Sequence, residues 1–188
     1  MRYFLVKQDK EYTKMPRLMN WFGKIKTECI CPGGYKQLEE DYVFMIESKE
    51  NTEYTDLVME PFYMISNMMK YVLEVYEPNL VFTELYLLDK KIKKAYEYYI
   101  PHLNEYDCLT CKSKIEFQRT QLTYGELDLE KLGDHSIFYL AGMKKKHLVI
   151  REDLAESLLR RGFYGVNLER LDTVNEEKLL IRFEKEDL

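Results

Sequence analysis

The sequence predicts an α+β fold, a single mixed β-sheet domain with a few short helices. Two observations carry that expectation. Short apolar runs bounded by glycine and charge recur along the chain, as at 42–47, 137–140 and 148–150, and suit buried strands. Helical periodicity is confined to short stretches, the clearest being 151–162. There Leu154, Ala155, Leu158 and Leu159 share one face, while Glu152, Asp153, Glu156, Ser157, Arg160 and Arg161 share the other. Between Asp134 and Leu171 these signals combine into a strand-strand-helix-strand unit near the C-terminus.

Taken in order, residues 3–7 read as a first strand and 9–16 as a polar loop. Leu18, Trp21, Phe22 and Ile25, spaced three and four apart, predict a short helix over 17–25. Cys31-Pro32-Gly33-Gly34 is a turn. A strand at 42–47 and an exposed loop at 50–55 follow. Residues 56–59 are extended, and Pro61 restricts the residue before it. Ser66 is a capping residue for a helix that ends at Tyr76, before Pro78, and buries Met69, Val72, Leu73 and Tyr76. Residues 80–88 and 94–100 read as strands joined by a hairpin at Lys90-Lys91. In the second, Tyr96, Tyr98 and Ile100 share one face, with Glu97 and Tyr99 on the other.

A further strand is expected at 114–118. In the 151–162 helix, acids open and arginines close, as the macrodipole favours. Glu156 lies four residues before Arg160, and Gly162 suits the left-handed residue that ends a helix. A strand at 166–171 comes next. The helix is long enough for a crossover between parallel strands, although its short arm could also return antiparallel. A last strand is expected at 179–183, before an acidic tail.

The 188 residues fit one domain, 1–188, with 1–58 as a candidate sublobe. A chain of this size buries roughly 70% of its unfolded surface and needs no disulfide or metal to fold. Its net charge of −5 argues against nucleic acid, whose phosphates call for a basic surface. No apolar stretch reaches membrane-spanning length. The apolar run at the N-terminus is too short for a signal peptide, and Lys7 and Asp9 follow at once, so a cytoplasmic location is expected. Tyrosine is abundant, at 16 residues. It favours interfaces because it joins rigid area to a polar tip, although an AT-rich genome explains the abundance equally well.

The motifs of nucleophile elbows, zincins, phosphate loops and dinucleotide folds are absent. Gly33-Gly34 lacks the following Lys and helix that a phosphate loop needs. His102, His135 and His147 stand apart, which leaves Asp134-His135 as the one acid–base candidate, set against a strand-edge pair exposed to water. Cys29-x-Cys31 and Cys108-x-x-Cys111 offer four thiolates for a structural zinc. The first spacing is tighter than a usual knuckle, and the Leu109-Thr110 insert lacks a glycine. Plain core cysteines are the simpler expectation. No catalytic residue, cofactor or metal is therefore expected. Lys144-Lys145-Lys146 reads as a solvated hairpin tip.

A set of segments also carries a family resemblance. They are Pro61-Phe62-Tyr63-Met64-Ile65-Ser66 before a helix, Tyr98 to Pro101, Asp107-Cys108-Leu109, Ile137-Phe138, and Ala155-Glu156-Ser157-Leu158-Leu159-Arg160-Arg161 followed by Gly165. Over roughly 59–171 the chain resembles the immunity-protein family of bacterial polymorphic toxin systems, especially members from Gram-positive anaerobes. The resemblance implies a role, neutralisation of a cognate toxin by direct binding, and carries no catalytic residues. A tight interface needs a few rigid aromatic or arginine anchors. Tyr96, Tyr98 and Tyr99 on one strand, with Arg160 and Arg161 at the helix end, are the candidates. The tyrosines could instead pack a sheet face, and the arginines could simply close the helix dipole. Acid clusters at Glu39-Glu40-Asp41 and in the tail suit a basic toxin. The alternative is a small metal-dependent enzyme or zinc-stabilised domain built on the cysteine pairs and Asp134-His135.

Overall fold

A computed structural model describes residues 1–12, 14–49 and 51–174. The fold is α+β, with mixed sheets and a few short helices. In chain order its strands and helices begin β1 (Tyr3–Gln8), β2 (Arg17–Met19), β3 (Asp41–Glu47), β4 (Leu57–Val58), β5 (Met64–Ile65), α1 (Asn67–Tyr76), β6 (Phe82–Asp89) and β7 (Lys94–Pro101). They continue with β8 (Glu105–Tyr106), β9 (Lys114–Glu116), β10 (Gln121–Tyr124), β11 (Glu126–Asp128), α2 (Leu129–Leu132), β12 (Ile137–Leu140), β13 (Leu148–Arg151), α3 (Glu152–Arg160) and β14 (Val166–Val174). Where the sequence predicted one sheet, these strands form two six-stranded sheets and a two-stranded ribbon, β9-β10.

The chain divides into two compact units. One is built from Met1–Lys7, Glu105–Glu156 and the chain from Leu168 onward; the other from Gln8–Asn104 and Ser157–Asn167. The 1–58 segment contributes to both. In the first unit the sheet order is β11-β14-β1-β13-β12-β8. Every residue of β12 is buried, as befits an unbroken apolar run covered on both faces. Phe138 pairs with Val149 across to β13, and its ring meets Tyr3 edge-on at 5.9 Å between centroids. Leu5, Leu127, Leu140 and Leu171 complete the centre of this core.

In the second unit the order is β2-β3-β6-β7-β5-β4. The β6-β7 hairpin lies at its centre, and buried residues alternate strictly along β6. At its turn the Asp89 carboxylate, 2% exposed, accepts the backbone N–H groups of Lys91 and Ile92 at 2.9 and 3.4 Å. Leu18, Phe44, Ile46, Leu85, Leu87, Tyr98 and Ile100 line one sheet face, where Ile25, Ile30 and Phe62 cover them. On the other face α1 packs on the end of β7, with Lys70 Nζ 4.5 Å from the Tyr99 ring and 5.8 Å from that of Phe82. The cap of α1 is the expected one: Ser66 Oγ accepts the Met69 N–H at 3.3 Å and donates to Asp56 at 2.6 Å. Met69, Val72 and Leu73 are buried, while Tyr76 is only half-buried.

Several local expectations are corrected. Residues 17–25 are not a helix. Arg17–Met19 pair antiparallel with β3, and Asn20, at a φ of 57°, turns the chain. Leu18 and Ile25 reach the same core from a strand and a later turn, which imitates helical spacing, while Phe22 is 87% exposed. The 114–118 strand stops at Glu116, because Phe117, Gln118 and Arg119 all take positive φ and form the turn to β10. The 50–55 loop is not wholly exposed. Thr55 is fully buried, its hydroxyl donates to Leu57 O at 2.9 Å, and a Cβ on Gly165 (φ 86°) would lie 2.5 Å from its methyl. Glu50 and the strand expected at 179–183 lie outside the described residues. In α3, Leu154, Ala155 and Leu158 are buried as expected, but Leu159 is 53% exposed, so the apolar stripe is narrower than the sequence suggested.

Leu158→Ala should therefore cost about 2–5 kcal/mol in urea unfolding. Leu159→Ala should stay within about 0.5 kcal/mol of the parent. Equal losses for the two would show that the buried face of α3 is misplaced.

Candidate functional site

The five residues expected to meet a partner do not form one exposed patch. Tyr98 is buried, and its hydroxyl donates to Thr55 O at 2.8 Å; burial raises its pKa above the ordinary phenol value. Tyr99 is buried on the opposite face, donates to Glu97 and lies under Lys70; burial and that carboxylate raise its pKa. Tyr96 is half-buried and stacks on Tyr54 at 3.6 Å between centroids. The physical reason is shared. Strand alternation sends Tyr96 and Tyr98 to one face and Tyr99 to the other, and both faces are covered at this end of β7. Arg160 and Arg161 are exposed at the end of α3. Arg161 donates at 2.8 Å to Ser157 O, satisfying a carbonyl that the helix end leaves open.

Asp134 and His135 do not form an acid–base pair. The Asp134 carboxylate pairs with Arg151, whose guanidinium also grips both Asp153 oxygens at 2.8 Å and holds that carboxyl below the usual range. The His135 ring stacks on Tyr106, 4.3 Å between centroids. His102 is 2% exposed, with Nε2 2.8 Å from Thr83 Oγ1, and burial keeps its pKa below the ordinary value. Burial lowers that of His147 too, and its Nδ1 lies 2.7 Å from Lys145 O.

The cysteine pairs fall in different compact units, Cys29 and Cys31 in one, Cys108 and Cys111 in the other, and all four are unbridged. Among the described residues, no group of three or more His, Cys, Asp or Glu side chains gathers to hold a metal ion. Burial pushes the Cys108 thiol up to about 12, whereas Cys111 is exposed.

The feature that the sequence reading missed is the open part of the second unit's sheet. Strand pairing lines up Met19 with Met45, Met45 with Leu88, and Leu88 with Ala95. This row crosses four adjacent strands. Beside it Val43 pairs with Tyr86. All six side chains point away from the core that Phe44, Ile46, Leu85 and Leu87 enter. Val43 is 49% exposed and Met19 43%; Met45, Tyr86 and Leu88 are half-buried, and Ala95 is exposed.

Carboxylates border the row. Asp41, Glu47, Glu84 and Glu97 stand on the same face, with Arg17 beside Glu47. The Tyr86 hydroxyl donates to Glu84 at 3.0 Å. An apolar centre with a polar border is how protein interfaces are built, and a contiguous exposed apolar patch usually marks one. The available signal was that 42–47 and 80–88 carry apolar residues in both phases of the strand period. A solvated face would be polar in one.

Among the described residues, no helix is long and apolar enough to cross a membrane. Compared with known proteins, the chain matches no protein-family model and no curated protein.

Alkylation followed by mass spectrometry should label Cys111 first in the native protein and Cys108 only as the chain unfolds. Native labelling of Cys108 as fast as that of Cys111 would contradict the burial described.

Proposed function

We propose that this chain is a non-catalytic binding protein of the immunity type, which neutralises a cognate toxin by docking the open β2-β3-β6-β7 face onto it. The observation that carries this reading is the solvent-facing row Met19, Met45, Leu88 and Ala95, with Val43 and Tyr86 beside it. Leaving these side chains in water forgoes roughly 25 cal/mol for each Å² that a partner could cover. The carboxylate border suits a basic partner and would speed encounter, which a protector needs if it is to bind before the toxin acts. The resemblance over 59–171 supports the immunity role itself. A cytoplasmic location belongs to the same proposal, because the toxin is met in the cell that makes it.

This reading replaces the tyrosines of β7 as anchors. Tyr86 and Val43 take their place near the centre of the patch, where hot spots concentrate. Arg160 and Arg161 are exposed but lie outside the row, and the proposal gives them no role.

Co-expression with any toxin encoded beside this gene tests the proposal. The parent chain should restore growth and co-elute with the toxin in gel filtration. Val43→Asp would set a carboxylate among the acidic border, so it should weaken the complex by at least about 30-fold, as loss of a hot spot of 2 kcal/mol does, while melting changes little. If Val43→Asp binds like the parent, the face is wrong. If the parent neither binds nor protects, the immunity reading fails.

A further inference from the structure

A second surface in the same unit has the opposite charge. Residues 14–18 read Lys-Met-Pro-Arg-Leu and form one wall of an open cleft of about 1060 Å³. Lys49 and Lys91 line it as well, so among the described residues four cations, with Lys14 and Arg17, face two carboxylates, Glu47 and Glu60. Lys14, Arg17, Lys49 and Lys91 are all exposed. Lys14, Arg17 and Lys49 form no ion pair among the described residues, and the Lys91 ammonium reaches the Ser48 carbonyl at 3.5 Å. Four exposed cations gathered at one cleft, in a chain of net charge −5, make a local positive surface that favours an anionic partner. The rest of the lining mixes the apolar Met15, Trp21, Val58 and Pro61 with the polar Asn51 and Thr52.

Two features favour a longer anion over a small one. The cleft is open, and its volume lies at the upper end of the usual range for small-molecule pockets, about 300–1,000 Å³. Its 14–18 wall includes β2, the end strand of the sheet, which has a strand neighbour on one side only. An end strand can pair its outer backbone groups with an extended peptide; here those are the groups of Arg17–Met19, since Pro16 lacks an N–H and the Lys14 carbonyl already accepts the Glu53 N–H at 2.9 Å.

We infer that this cleft binds an extended acidic segment of a partner protein, laid along β2. Carboxylates on one side of the segment meet Lys14, Arg17 and Lys49, and apolar side chains on the other rest on Met15 and Trp21. The inference does not depend on docking at the open sheet face, although Arg17 and Glu47 border both.

Trp21 is the single tryptophan of the chain, so its emission reports on the cleft directly. The probe is a capped eight-residue peptide of alternating Glu and Val. It should shift Trp21 emission saturably, and its affinity should fall as salt rises. A Lys14→Gln/Lys49→Gln variant, altered only at exposed side chains, should melt like the parent and bind at least 10-fold more loosely. Val43→Asp should bind the peptide as the parent does, whatever its effect on a toxin. The same peptide with Lys in place of Glu should leave the emission unchanged. No shift with the acidic peptide, or undiminished affinity in the double variant, would overturn the inference. An equal shift with inorganic pyrophosphate would overturn it too, by making the cleft a small-anion site.

Discussion

The second unit depends on the register of one hairpin. Eight cross-strand pairs join β6 to β7, from Phe82 with Pro101 to Asp89 with Lys94. At the closed end Asp89 holds the turn through two backbone N–H groups. Hydrogen bonding from Ser48 and from the backbone of Lys91 and Ile92 keeps its carboxyl below the ordinary range. A slip of one residue would send every side chain to the opposite face. Leu85 and Leu87 would leave the core, and Tyr86 and Leu88 would enter it. The same register aligns Leu88 with Ala95 and, through β3, with Met45 and Met19. Core and open face are thus two consequences of one alignment.

Much of this was legible in the sequence, because it is local. The hairpin, the Ser66 cap, the alternation in 94–100 and the amphipathic 152–160 helix all follow from spacing and residue type over a few positions. What escaped is non-local. Nothing near Arg17–Met19 says that these residues pair with β3, and Leu18 and Ile25 mimic a helix because both reach one core. The division into two sheets follows from strand order, which periodicity does not encode. Tyr98 and Tyr99 were assigned correctly to opposite faces of β7. Their burial depended on what covers each face, a packed loop region on one and α1 on the other. The open face was half-legible: apolar residues in both phases of 42–47 and 80–88 were present to be read, but only strand pairing brings them into one row.

The open face and the cleft differ in what they offer. The face is an apolar row inside an acidic border, while the cleft is concave, basic and set against an end strand. The two partner surfaces proposed for them differ accordingly, one broad and basic and one extended and acidic. Arg17 and Glu47, neighbours across β2 and β3, sit where the two meet. Neither surface uses the histidines or cysteines, which are packed, stacked or divided between the two units.

The most direct test of the docking face is the oxidation of its methionines. Met19 and Met45 lie on the row, whereas Met64 and Met69 are buried and serve as internal references. Hydroxyl-radical labelling of the free chain and of the proposed toxin complex reads them together. The account predicts that oxidation of Met19 and Met45 falls on complex formation while the buried pair stays low in both states. Undiminished oxidation of Met19 and Met45 in a complex that protects other exposed side chains would contradict it.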